Sequence, residues 1–349
     1  MMMQMPRLPA TAPAAVTVFY AQLILVAAAL AVLVESGVLI ARLRGWRPRP
    51  DPFPDRRLLV LGLGALWTLD GLLQMQPQMV THFLSGVVAP LLQGEPAPLG
   101  ALIRIGVQIW SVDPATANVM ACCVQLLIGL ALLAGNVGAL RRAALWASIA
   151  WGLIVWVVGE AMGGMFVGGG WLTGAPGAAL LYVAAAIVAL QPDRFWQAGR
   201  LRWLAPVGLG AVLLLDAFLQ AWPAAGFWAP GTLAGFASSM GQMPQPAVLA
   251  APVKAWAAVI PAAPTLWNLG IVAVLTVLGL GWWVRPGSRP LLIATAAWVA
   301  LAWYFGQEFG VLGGMGTDPN IGAALLLWLG LYGHRTGAAV SAAAVPEPS

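Results

Sequence analysis

The sequence predicts an all-α polytopic membrane protein of about nine transmembrane helices: two tandem four-helix repeats with pseudo-two-fold symmetry, plus one extra N-terminal helix. Three observations lead there. Of 349 residues, 60% are apolar and only 8% charged, against roughly 25% charged in an average soluble domain. Apolar stretches long enough to cross about 30 Å of hydrocarbon recur along the chain. A pattern of polar residues also returns at a spacing of 146 to 150 residues. With 17 basic and 12 acidic side chains to cover the whole surface, the composition excludes an ordinary soluble enzyme, a disordered chain and a nucleic-acid binder of the basic-patch kind.

In chain order the apolar stretches fall at about 17–41, 58–76, 117–135, 142–160, 174–190, 203–222, 265–284, 289–305 and 319–333. The first is longer than the apolar part of a signal peptide and is followed by Arg42, Arg44, Arg47, Arg49, Arg56 and Arg57, a stop-transfer pattern, so it is expected to be retained. Placing that basic loop inside also puts Arg141, Arg142, Arg194, Arg200, Arg202, Arg285, Arg289 and Arg335 inside, and leaves only Arg7, Arg104 and Lys254 outside. The positive-inside rule then predicts a plasma-membrane protein with its N-terminus outside and its C-terminus cytoplasmic. The expected units are 1–55 (N-terminal helix and basic, Pro-rich inner loop), 56–195 (first repeat), 196–335 (second repeat) and 336–349, an Ala/Pro/Ser tail read as disordered.

The duplication is read from polar residues, which chance apolar similarity does not match. Residues 56–77 and 202–223 share eleven identities in twenty-two positions, among them Arg56/Arg202, Gly64/Gly210, Asp70/Asp216, Gln74/Gln220 and Pro77/Pro223. At an offset of 150, Arg104 pairs with Lys254, Pro114 with Pro264, Asn118 with Asn268 and Gly129 with Gly279. Gly159, Glu160 and Gly163 then meet Gly306, Glu308 and Gly310, and Pro176 meets Pro319. Four helices per repeat give both halves one orientation, related by an axis along the membrane normal. Residues 97–112 and 247–260 are apolar but too short to span, and are expected in the interface or dipping into the bundle.

Asp70 lies twelve residues into its stretch, about 18 Å deep at 1.5 Å per residue. Insertion scales charge about 2.5–3.5 kcal/mol for an ionised group near the centre, so Asp70 and Asp216 should face protein and have partners. Arg104 and Lys254 are the basic groups at hand, which predicts one Asp–Arg and one Asp–Lys pair. The set Asp70, Arg104, Glu160, Asp216, Lys254 and Glu308 is thus a candidate for ligand binding or for buried ion pairs. Gln74, Asn118, Gln220 and Asn268 are supporting polar groups that read equally as hydrogen bonds between helices. The spacings Gly159/Gly163 and Gly306/Gly310 read as GxxxG packing points, and Asp318 before Pro319 as an N-cap.

Methionines cluster on the same side. Met75, Met79, Met162, Met165, Met240 and Met243, with His82 three residues after Met79, suggest a soft-metal site suited to Cu(I), although methionine also serves as flexible filler in apolar pockets. Cys122 and Cys123 are adjacent and form no CxxC pair. The Gly-rich stretch 163–170 lacks the lysine of a P-loop, and no catalytic motif is present.

Each half resembles the DoxX/DoxD-like family of small four-helix membrane proteins. The resemblance rests on Arg-x5-Gly-x-Gly opening the first helix (Arg56 to Gly64, Arg202 to Gly210), a polar end to that helix, an outer loop with a short apolar segment, and the Gly-closed second helix ahead of Arg141 and Arg142. It spans about 56–190 and 202–333. It implies a membrane subunit beside redox partners, thiosulfate:quinone oxidoreductase being the best-known association. The expectation is therefore a component of a redox or quinone-linked system, non-catalytic by itself. Such a component has an outward-facing polar pocket in each repeat, a quinone or copper as conceivable cofactor, and a redox protein partner on the extracytoplasmic side. The alternatives are a transporter of a small solute or of Cu(I), and a structural scaffold or assembly factor.

Overall fold

In the computed structural model, residues 12–43, 51–134, 138–313 and 316–343 are described. Twelve main helices account for the architecture: α1 (Ala12–Leu43), α2 (Pro54–Leu73), α3 (Ala97–Val112), α4 (Pro114–Leu133), α5 (Ala139–Ile154), α6 (Ala178–Ala189), α7 (Leu201–Ala221), α8 (Pro230–Gln242), α9 (Ala247–Val259), α10 (Pro264–Val284), α11 (Arg289–Phe305) and α12 (Asn320–Ala343). No strand occurs among the described residues. Five helical stretches are long and apolar enough to cross a membrane: Ala14–Val32, Pro114–Leu133, Ala139–Gly159, Leu201–Ala221 and Pro264–Val284.

The sequence places the helix boundaries by ordinary capping. Pro54 begins α2 at the position where a missing N–H is harmless, with Asp55 in the first turn. At α4, Asp113 accepts hydrogen bonds from the Thr116 N–H at 3.2 Å and the Thr116 hydroxyl at 2.7 Å. Those bonds hold the Asp113 carboxyl below its ordinary range.

Two helix pairs form the centre, α2 on α4 and α7 on α10. In both, glycine lets the backbones touch. A Cβ on Gly64 would stand 3.0 Å from the Gly129 carbonyl oxygen, and one on Gly210 would stand 2.9 Å from that of Gly279. One continuous core then runs through both halves, from Leu59, Leu63 and Trp67 through Leu145 and Tyr182 to Leu213, Leu275, Trp282 and Leu325. Large apolar side chains such as Ile109, Leu130, Val277 and Trp283 are exposed on its outside, as expected where the surrounding solvent is lipid.

Several expected segments are helices but shorter than drawn. The stretch 174–190 is helical only over α6, twelve residues or about 18 Å, because Gly174, Pro176 and Gly177 break it. The GxxxG expectation fails for a related reason. Gly163 and Gly310 are not in α-helices but in short 3-10 turns: they have φ of 73° and 69°, and a Cβ at either would collide with the backbone at Pro176 or at Asp318 and Pro319. They close irregular loops, 160–177 and 306–319. There the non-glycine residues Ala161, Met162, Glu308 and Phe309 also take positive φ, a strained geometry that surrounding contacts must hold in place. The tail was expected to be disordered from 336, yet residues 336–343 continue α12, an outcome suited to an Ala-rich run of high helix propensity. Residues 1–11, 44–50 and 344–349 lie outside the described residues, so Arg7, Arg44, Arg47 and Arg49 do too.

At the end of the bundle where α2 begins, a buried ion network ties the chain together. Asp51, its side chain 1% exposed, accepts from Arg56 Nε at 2.6 Å and from Arg141 Nη1, while Arg56 Nη1 also reaches the exposed Asp193 at 2.8 Å. Burial is the largest single influence on Asp51 and raises its pKa. The hydrogen bonds from Arg56, the Phe53 N–H and Arg141, with the Arg56 charge, outweigh it and leave the carboxyl below its ordinary value.

Candidate functional site

The polar residues picked out by the duplication converge at the opposite end of α2. Asp70 is buried at 2% exposure, and one turn on, Gln74 donates from Nε2 to Asn118 Oδ1 at 2.5 Å while Asn118 Nδ2 donates to the Gln74 carbonyl at 3.0 Å. The second half repeats the arrangement: Gln220 Nε2 donates to Asn268 Oδ1 at 2.8 Å, and Asn268 Nδ2 to the Gln220 carbonyl at 3.5 Å. These four residues therefore pin the two central helix pairs at corresponding places.

The expected ion pairs do not form. Ion pairs join Arg56, Asp51, Arg141 and Asp193, at the other end of α2, and none joins Asp70 or Asp216 to Arg104 or Lys254. Arg104 is exposed and its guanidinium lies back over Gly100 on its own helix. Lys254 is also exposed, its stem packed on Gly241. Both behave as snorkelling side chains, whose charge is better hydrated at a surface than buried beside a carboxylate.

Asp70 instead borders a cavity of about 640 Å³. Trp67 and Tyr182 form its floor, packed edge to face at 5.0 Å, with the Trp67 indole N–H bonded to Ser148 at 2.8 Å. The Tyr182 hydroxyl donates to Asp70 Oδ1 at 3.4 Å. Walls from α3, α4, α5 and the short π-helix Phe83–Val88 are apolar, with Leu102, Ile109, Trp110, Val124 and Trp151 among them. Glu160 and Asp318 complete the acidic end. Glu160 accepts from the Ala179 N–H at 3.1 Å, so its carboxylate sits on the N-terminus of α6. Asp318 accepts from the Asn320 N–H at 2.6 Å and from the Thr317 hydroxyl; α12 begins only at Asn320, whose φ is 57°, so Asp318 bonds the residue that opens the helix rather than capping it with Pro319 as its first residue.

The loops reach across between halves. Gln76 Nε2 donates to the Gly316 carbonyl at 3.0 Å, and Gln307 Nε2 to the Trp171 carbonyl at 3.1 Å. This crossing brings Asp318, far away in sequence, into the cavity with Asp70. No local pattern in the sequence marks that meeting, nor the use of Tyr182 and Gln125 on the cavity wall.

The second half is closed at Asp216, where the first is open at Asp70. Asp216 is 0% exposed and neither of its carboxyl oxygens has a hydrogen-bond partner. Leu233 and Ala237 of α8 are fully buried elsewhere in the common core. Glu308 is buried with Oε1 unpartnered, and the residue before the matched proline is the buried Ala175 in one loop and Asp318 in the other.

The methionines are dispersed. Met79 is fully buried while His82 is exposed, its Nδ1 occupied by the Thr81 hydroxyl. Met75 packs on a cluster around Phe19, Met162 on another around Ile103, and Met243 lies near Gly313. Met165 and Met240 are half-buried. Met75 and Met162 thus belong to different clusters, and among the described residues no group of three acidic, His or Cys side chains could hold a metal ion.

Helical content, apolar surface and membrane-length helices together are those of a multi-pass helical membrane protein. Comparison with known proteins finds no matching family model, no matching curated protein and no matching solved structure.

Proposed function

We propose that the chain is a non-catalytic membrane component that binds one amphipathic small molecule in the cavity of its first half, beneath the extracytoplasmic surface. The observation that carries this reading is the cavity itself: about 640 Å³ of apolar wall ending in Asp70, Glu160, Asp318 and Tyr182. Apolar pockets with a few convergent polar groups are the usual form of small-molecule sites.

The wider frame is nine membrane helices in a tandem duplication, N-terminus outside and C-terminus cytoplasmic, in the plasma membrane. The matched Gly64/Gly129 and Gly210/Gly279 contacts support the duplication, as do the matched Gln–Asn pairs. So do two equivalent bonds, Trp156 to the Pro176 carbonyl at 2.7 Å and Trp303 to the Pro319 carbonyl at 2.6 Å. On the DoxX/DoxD-like resemblance, the component belongs to a redox or quinone-linked system with an extracytoplasmic protein partner. A quinone suits the apolar walls, and the partnerless indole N–H groups of Trp110 and Trp151 on the lining could donate to its ring oxygens.

Transport of a small solute is the second reading. It is favoured by the contribution of Asp318 to a cavity built mainly from the other half, since carrier sites lie between repeats. Extraction of the purified protein with organic solvent, followed by mass spectrometry, tests the main reading. A bound amphiphile near one per chain is expected in the wild type and its loss in Ala117→Phe, which places bulk on the cavity wall. No retained molecule, together with solute uptake that Asp70→Asn abolishes, would move the conclusion to transport.

A further inference from the structure

The acidic end of the cavity narrows the head group of the ligand, an inference that rests on the reading above. Asp70, Glu160 and Asp318 share that lining, and none of them forms an ion pair with a basic side chain among the described residues. Gln125, also on the lining and 6% exposed, has its Oε1 without a donor. At that end of the cavity hydrogen-bond acceptors are thus in excess, since the Tyr182 hydroxyl is spent on Asp70, while the partnerless indole N–H groups of Trp110 and Trp151 belong to the apolar walls. A quinone ring brings only acceptor oxygens to such a place and an alcohol brings one donor. A primary ammonium brings three donors and a positive charge. Beside Asp70, the aromatic rings of Trp67 and Tyr182 also line the cavity, and aromatic rings can attract cations. The carboxyls are not grouped as metal ligands are, so a bare ion is the poorer match, and the long apolar wall asks for a hydrocarbon body.

We propose that the cavity receives a lipophilic ammonium compound, its head at Asp70 and Gln125 and its hydrocarbon along Trp110 and Trp151. A single-chain amine and an aminated lipid head group present the same chemistry. Tryptophan fluorescence reads this directly, because a bromine on the chain quenches indoles that it touches. Full-length protein in phosphatidylcholine nanodiscs at pH 7 would be titrated with 12-bromododecylammonium, 12-bromododecanol and 12-bromododecanoate. The ammonium is expected to give saturable quenching at a concentration at least about tenfold lower than the other two, the scale of one charge-assisted hydrogen bond. Asp70→Asn and, separately, Gln125→Leu should reduce that selectivity, and Asp216→Asn should leave it unchanged. The wild-type comparison of three ligands stands even if a variant fails to fold. Replacing the lipid by phosphatidylethanolamine separates the sources: lost quenching identifies the lipid and persistent quenching a soluble amine, and both uphold the ammonium head. Equal saturable binding of alcohol and ammonium overturns the ammonium head but keeps the cavity reading. Failure of all three to saturate overturns both.

Discussion

Removing Asp51 tests how the bundle is held at the end where α2 begins. Its carboxylate, 1% exposed, is shared by Arg56 and Arg141, which are themselves 4% and 8% exposed. Asp51→Ala leaves two guanidinium groups without their buried counter-charge, and breaking a buried pair in this way costs about 3–5 kcal/mol. At about 2 °C per kcal/mol for a chain of this size, melting in detergent should fall by roughly 6–10 °C. Asp193→Ala provides the control. It removes the other Arg56 contact, but Asp193 is 62% exposed, and exposed pairs contribute at most about 1 kcal/mol. Because the folded-state pKa of Asp51 lies below its ordinary 3.8, its contribution is complete above that value and fades as pH falls through the lowered one. The wild type should therefore lose stability in that acid window, and the variant should show a smaller loss there. Melting followed by tryptophan fluorescence checks both statements. Equal effects of Asp51→Ala and Asp193→Ala would refute the reasoning.

Three further outcomes follow from the packing. Asn118→Ala breaks two buried hydrogen bonds to Gln74 and should lower stability by about 1–3 kcal/mol in a detergent melt, with Asn268→Ala slightly milder because one of its bonds is 3.5 Å long. Gly129→Val should destabilise by about 1–3 kcal/mol or more, since a Cβ there already overlaps Thr68; the same melt reads it. In a background lacking Cys122 and Cys123, a cysteine at exposed Arg104 should react with an impermeant thiol reagent in intact cells, and one at exposed Arg285 only after lysis.

Much of the helix order was legible because apolar length acts locally: the stretches 117–135, 203–222 and 265–284 are the helices Pro114–Leu133, Leu201–Ala221 and Pro264–Val284 to within three residues. The matched Gln and Asn residues were legible for a different reason. A polar group buried in an apolar bundle needs a partner, and the repeat spacing supplied one for each. The ion pairs were misread because equal spacing along two helices says nothing about which face a side chain takes. Arg104 and Lys254 gain more from hydration than from Asp70 and Asp216. The loops 160–177 and 306–319 were opaque as well: GxxxG reads alike in a helix and in a strained turn, and only the fold carries Asp318 to Asp70. Asp51 escaped notice because an isolated aspartate in a Pro-rich loop looks like surface until two arginines close on it.

The most direct measurement of the central claim is an experimental density map of the purified full-length protein in lipid. The account predicts elongated non-protein density in the first half, running from Asp70 along Trp110 and Trp151, and none beside the enclosed Asp216. A collapsed first cavity, or comparable density at Asp216, would contradict it.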